Sequence, residues 1–187
     1  MDGKPEHFPA LKPAVFFDRD GVVNESPGNG YVLRREGFYF TPGIFRALAL
    51  CRARGYATVL VTSQQGVGKG LMTQATLDEI HVAMQTELAA HAAAFDSIHA
   101  CTHLSGTCDC RKPSPAMIFH ARDELGLDLS RSWLVGDHDR DIQMAINAGV
   151  PHTIRILSHH EPQVTADYTL ADTKSLEGLL ADQLPPA

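Results

Sequence analysis

Ala14-Val15-Phe16-Phe17-Asp18-Arg19-Asp20-Gly21 is a short apolar run that passes directly into an acidic turn closed by glycine. This is the pattern of a buried strand that ends in a turn. On the C-terminal side, Thr41-Pro42-Gly43 switches the chain to helical spacing, with Ile44, Leu48 and Cys51 on one face and Gly55 as the stop. Ala57 to Thr62 reads as a second strand, and Gly66, Gly68 and Gly70 as a flexible loop. Thr73 is placed to cap an amphipathic helix carrying Leu77, Ile80, Met84 and Leu88. Ser97 to Ala100 gives a third strand, and Ser114-Pro115 opens a helix that runs to Gly126. Ser132 to Val135, then a helix over 139–148 closed by Gly149, then His152 to Leu157 continue the alternation. A last strand at 167–170 and a helix over 175–184 complete it. Strands that alternate with helices of this length predict an α/β fold with a doubly wound, mostly parallel sheet. No linker or repeat divides the chain, so 1–187 is expected to be a single domain, with 1–12 and 185–187 flexible.

The 187 residues are 44% hydrophobic and 20% charged, enough to bury one good core and too apolar for a disordered chain. A net charge of -6 has the wrong sign for a protein that grips nucleic-acid backbone, so any anionic ligand must be held by a local site. Lys4, Glu6, His7 and Lys12 break up the first seventeen residues together with three prolines, which leaves no signal-peptide core. No later stretch reaches the length of a membrane span, and a cytoplasmic protein, expected to be monomeric, is predicted.

Two acidic clusters carry chemistry. Asp18 and Asp20 are two apart and point the same way from an extended chain, while Arg19 points elsewhere. Adjacent carboxylates repel unless a cation or a shared proton relieves them, which suits a magnesium and acid/base site; the plainer alternative is a polar turn. Gly136-Asp137-His138-Asp139-Arg140-Asp141 follows the fourth strand and therefore also lies at the carboxyl end of the sheet, where open α/β folds keep their ligands. Asp137 and Asp141 share a face if a helix has begun, and either Asp137 or Asp139 is also a candidate N-cap. Thr62-Ser63-Gln64-Gln65 supplies hydroxyl and amide donors, and Arg111-Lys112 supplies fixed positive charge for phosphoryl oxygens.

The cysteines are unevenly placed. Cys51 reads as core, whereas Cys101, Cys108 and Cys110 gather around His103 and make a complete four-ligand set for a structural zinc. The Gly66–Gly70 run is no Walker loop, because Ser63 and Gly70 stand where the leading Gly and the trailing Ser or Thr are required.

Asp-Arg-Asp-Gly-Val-Val-Asn at 18–24, Val-Thr-Ser-Gln-Gln-Gly at 61–66, Cys-Asp-Cys-Arg-Lys-Pro at 108–113 and Gly-Asp-His-Asp-Arg-Asp at 136–141 resemble, in order, the four motifs of the haloacid dehalogenase superfamily. The zinc loop ahead of the lysine motif resembles one branch of it, the heptose bisphosphate phosphatases and histidinol-phosphate phosphatases. The resemblance implies a Rossmann-like fold with a minimal cap and a magnesium-dependent phosphomonoesterase. Asp18 would be the nucleophile, forming an aspartyl-phosphate, and Asp20 the acid and then the base. Magnesium would be held by the Asp18 carboxylate, the Asp20 backbone carbonyl and Asp137, with Asp141 a neighbouring or water-mediated acid. Thr62 would bind phosphoryl oxygens and Lys112 would offset their charge. Arg19, Gly30, Tyr31, Ser63, Gln64, Gln65, Arg111 and His138 fall among the substrate contacts.

Gly30-Tyr31-Val32 and Gly66-x-x-x-Gly70-x-x-Thr73 resemble the heptose enzymes, while the four-residue span between His103 and Cys108 resembles the histidinol enzymes. Ser63 stands where the family commonly has Asn, and His138 where the heptose enzymes tend to have Lys. A bisphosphate needs a second anion site, for which Arg34, Arg35, Lys69 and Arg111 are the candidates. The expected reaction is removal of the C7 phosphate of D-glycero-D-manno-heptose 1,7-bisphosphate. The alternatives are histidinol phosphate or another small phosphate ester, a phosphotransferase or mutase sharing the nucleophile, and, in a different class, a non-catalytic zinc-stabilised binding module.

Overall fold

The computed structural model describes residues 11–186. Residues 1–10 and 187, which include most of the ends expected to be flexible, lie outside the described residues. Lys12 pairs with the loop after the fourth helix, its N–H donating to the Gly126 carbonyl at 3.2 Å.

Six parallel strands form one sheet: β1 (Ala14–Phe17), β2 (Ala57–Ser63), β3 (Ser97–Cys101), β4 (Trp133–Gly136), β5 (His152–Ile156) and β6 (Tyr168–Leu170), in the order β3-β2-β1-β4-β5-β6. The helices are α1 (Ile44–Ala53), α2 (Gln65–Gly68), α3 (Gln74–Ala90), α4 (Ala116–Leu125), α5 (Asp139–Ala148) and α6 (Leu176–Gln183). Both faces of the sheet are covered, which is why its strands read as unbroken apolar runs. Val15 and Phe17 pack with Ile44, Leu48, Met84 and Leu180 on one face, while Ala14 and Phe16 pack with Ile118, Ala121, Ile142 and Ala145 on the other. The helices α1, α3 and α6 thus share one side, and α4 and α5 the other.

The topology places the site. From β1 the chain winds outward through β2 to β3, then returns to start β4 on the free edge of β1. The carboxyl ends of β1 and β4 are therefore neighbours at the switch point, where such sheets form their binding crevice. Among the described residues no inserted domain separates β1 from β2 or β2 from β3, so the crevice stays open.

Three local differences from the sequence reading have physical causes. The glycine run is not simply a loop: it forms the short helix α2, whose Gly68 N–H donates to the Thr102 carbonyl at 3.0 Å and so docks it on the cysteine-rich loop after β3. The helix after Ser114-Pro115 begins at Ala116. Its neighbour α5 is capped by His138, not by Asp137 or Asp139: His138 Nδ1 accepts from the Arg140 N–H, and Asp141 Oδ2 accepts from the His138 N–H at 3.0 Å. No described helix is long and apolar enough to cross a membrane.

Candidate active site

β1 delivers Asp18 and β4 delivers Asp137, while the first turn of α5 turns Asp141 back between them. One oxygen from each of these carboxylates lies within 4.8 Å of the others. Lys112, from the loop before α4, reaches in from the opposite side, and its Nζ donates to Asp18 Oδ1 at 2.6 Å and to Asp141 Oδ1 at 2.7 Å. All four residues are buried. Burial, and then the Asp141 charge, push the Asp18 carboxyl up to about 6, although Lys112 opposes the shift. Burial, Asp18 and Asp141 push Asp137 up to about 8. Burial alone would lower the Lys112 pKa, but Asp141 and Asp18 outweigh it and raise it. Three carboxylates share one ammonium, so the cluster is short of positive charge, and oxygen donors in this deficit suit a hard divalent cation.

Two glycines allow the approach. Gly21 sits at φ +89°, and a Cβ there would lie 2.4 Å from Asp137 Oδ2. At Gly136 a Cβ would meet the Asp141 Cβ at 2.3 Å.

Asp20 takes a different environment from its neighbour. It does not join the three-carboxylate cluster; Arg19 grips both of its oxygens, with Nη2 donating to Oδ1 at 2.9 Å and to Oδ2 at 3.2 Å. Asn24 Nδ2 donates to Oδ1 and Gln64 Nε2 to Oδ2, each at 3.0 Å. Burial alone would raise the Asp20 pKa, but the Arg19 charge and these donors lower it. Arg19 itself is fully buried behind Asp20, away from the open crevice. Gln64 is buried too, and it also donates to Thr62 Oγ1 at 2.8 Å.

The crevice is a cavity of about 500 Å³ whose floor includes Asp20 and Asp137. Gly30, Tyr31, Ser63, Arg111 and His138, expected among the substrate contacts, line it. Ser63 Oγ and Arg111 Nη1 are buried without a hydrogen-bond partner among the described residues. Gln64, Gln65 and Thr62 are not on its wall. Of the four basic residues expected to form a second anion site, only Arg111 lines it. Arg35 instead lines a separate small cavity with Glu87 of α3, and Lys69 Nζ lies 5.2 Å from the Tyr31 ring centroid. The remaining wall comes from Arg140, a motif position to which no role was given, from residues 26–29, and from Ser158, His159 and His160, which no motif marked. A buried clamp holds that segment. Arg155 Nη2 donates to Asp139 Oδ1 at 2.7 Å and to the Val164 carbonyl at 2.9 Å, and the Val164 N–H donates to Asp139 Oδ1 at 3.0 Å. Ser158 Oγ donates to the Asp137 carbonyl at 3.1 Å, tying the same segment to the acidic cluster.

Cys101 at the end of β3 and the loop after it bring three sulfurs and one imidazole together. The Sγ atoms are 3.0 to 3.5 Å apart, and His103 Nδ1 lies 3.3 Å from Cys110 Sγ and 3.9 Å from Cys101 Sγ. Bonds of about 2.3 Å to sulfur and about 2.0 Å to nitrogen make tetrahedral edges of roughly 3.5–3.8 Å, close to this spacing, so the donor set fits zinc.

A family model described as HAD-hydrolase-like matches residues 109–167. The D-glycero-beta-D-manno-heptose-1,7-bisphosphate 7-phosphatase of Escherichia coli K12 is 33% identical across 94% of this chain and 97% of its own. The enzyme of that name from Vibrio cholerae is 40% identical across 74% of this chain and 78% of its own. The crystal structure of D,D-heptose 1,7-bisphosphate phosphatase from B. bronchiseptica, complexed with magnesium and phosphate, superposes with a TM-score of 0.81 at 29% identity, covering 91% of this chain and 99% of that one.

Proposed function

The chain belongs to the heptose-1,7-bisphosphate 7-phosphatase family of haloacid dehalogenase-like hydrolases, and on that basis we propose that this phosphatase removes the C7 phosphate of D-glycero-D-manno-heptose 1,7-bisphosphate through a covalent intermediate on Asp18. The observation that carries the chemistry is the buried meeting of Asp18, Asp137, Asp141 and Lys112 at the switch point of the sheet.

Asp18 attacks phosphorus, and the bond to the sugar oxygen breaks with its electron pair left on that oxygen. Asp20 gives the oxygen a proton, then takes one from the water that hydrolyses the aspartyl-phosphate, so that one carboxyl serves both half-reactions. The phosphoryl anion bound beside Asp20 opposes the lowering influence of Arg19 and favours the protonated acid. Lys112 neutralises phosphoryl charge and Thr62 donates to a phosphoryl oxygen. Magnesium held by the Asp18 carboxylate, the Asp20 carbonyl and Asp137 would supply the positive charge that lets two anions meet. Asp141, engaged by Lys112 and by the His138 N–H, orients both elements. Gln64 orders Asp20 and Thr62, Gln65 lies at the base of α2, and Arg19 acts through Asp20. Zinc on Cys101, His103, Cys108 and Cys110 would fix the loop that presents Arg111 and Lys112.

The basic part of the crevice lining favours the bisphosphate. Arg111, Arg140 and three histidines would meet a second anion there, whereas the amine and imidazole of histidinol phosphate call for acids. Ser63 and Arg111 line the crevice, and the want of a partner at Ser63 Oγ and Arg111 Nη1 among the described residues supports contact with substrate. Asp18→Asn is expected to abolish phosphate release while leaving the circular dichroism spectrum and melting curve native; substantial release by the folded variant would remove Asp18 as nucleophile.

A further inference from the structure

α3 carries one buried polar side chain that the chemistry above does not use. His81 lies on the face of the helix that also buries Leu77, Ile80, Met84 and Leu88, and its Nε2 is 3.4 Å from Arg19 Nη1. An imidazole among aliphatic neighbours costs more than the leucine or isoleucine used elsewhere on that face unless it meets a partner. Its partner is Arg19, whose Nε and Nη2 are already committed to Asp20. Nη1 is the outer edge of that guanidinium, and among the described residues its side-chain partner is His81. A guanidinium has no acceptor, so the bond runs from the Arg19 N–H to a neutral imidazole with the proton on Nδ1. Burial, reinforced by the Arg19 charge and opposed by Asp78 and Asp20, holds the His81 pKa down at about 4, which keeps the ring in that form near neutrality.

We infer that His81 is a positioning residue for the acid/base Asp20: by accepting from the outer edge of Arg19 it fixes the plane of the guanidinium that clamps the carboxylate. Three groups thus form one line from the helix to the reacting proton, His81 to Arg19 to Asp20. Without the acceptor, Arg19 keeps its charge and stays near Asp20 but loses the contact that sets its rotation. The carboxyl then meets the leaving oxygen less often in line. The inference rests on the reading of Asp20 as acid and base.

The test separates proton delivery from everything else at the site. Magnesium-supported kcat/KM is measured for a sugar phosphate, whose alkoxide must be protonated, and for 4-nitrophenyl phosphate, whose leaving group needs no proton. The proteins are the wild type, His81→Leu, His81→Gln and Asp20→Asn, each checked for its fold by thermal melting. In His81→Leu the sugar phosphate is expected to lose about tenfold or more, inside the roughly 10²–10⁴ that general acid catalysis contributes, and the aryl ester about threefold at most. His81→Gln, whose carbonyl oxygen accepts a bond, recovers most of the loss. A histidine that only filled space would lower both esters together. Equal losses on the two esters in His81→Leu, no loss on either, or equal defects in the Leu and Gln variants would overturn the inference. If His81→Leu does not fold, His81→Met takes its place under the same criteria. Asp20→Asn serves as the reference: absence of leaving-group dependence in that variant would sink the acid/base reading itself.

Discussion

Asp18 and Asp20 are the same side chain two residues apart, and their surroundings give them opposite properties. Asp18 shares its space with two other acids and is raised to about 6, whereas Asp20 is lowered by Arg19, Gln64 and Asn24. Gly21, the next residue, fixes the distance between this turn and Asp137. Gly21→Ala would add a Cβ 2.4 Å from Asp137 Oδ2 at a backbone angle that L-residues rarely adopt. We expect a stability loss of about 1–3 kcal/mol and a marked fall in phosphate release. Gly149→Ala, at a similar backbone angle (φ +75°) with nothing within 4 Å and away from the crevice, is the control. Thermal melts and kinetics on the two variants decide this, and equal behaviour would show that the Gly21 contact is unimportant. The identities of these residues were legible in the sequence because their motifs follow apolar strands. The burial of Arg19 was not: alternation along an extended chain turned it away from Asp20, but the chain leaves extended geometry at Asp18, and the guanidinium folds back onto its neighbour.

Elements carried more of the reading than loops did. The strands and the long helices stand within one or two residues of their expected places because both sheet faces are covered and apolar periodicity is strong. The crevice wall formed by Ser158, His159 and His160 was not legible. It depends on the Arg155–Asp139 clamp, a pairing across 16 residues that no local pattern announces. The gathering of Cys101, His103, Cys108 and Cys110 was legible because these residues lie close together along the chain. For that loop we expect about one zinc per chain, with Cys108→Ser and Cys110→Ser losing the metal and melting at lower temperature. Metal analysis of the folded, reduced protein tests this directly; a metal-free protein with an unchanged melt would exclude a structural zinc.

For the molecule as a whole, strand order 3-2-1-4-5-6 was not written in any segment, yet it is what makes the ends of β1 and β4 neighbours. Global stability should report the buried His81. Its folded pKa of about 4 lies below its ordinary value of 6.5, so the unfolded chain binds the proton more readily between those values. Stability is therefore full above about pH 6.5 and declines as pH falls toward 4, by on the order of 1–3 kcal/mol from this group. Urea unfolding from pH 7 to 4.5 should show a shallower decline in His81→Gln than in the wild type; parallel curves would contradict the assignment.

The most direct measurement is magnesium-dependent phosphate release from both anomers of heptose 1,7-bisphosphate, from histidinol phosphate, from other sugar phosphates and from a nucleotide monophosphate, compared as kcat/KM. A clear preference for one heptose anomer over every other ester is the expected result. Preference for histidinol phosphate, or activity on none of them, would contradict it.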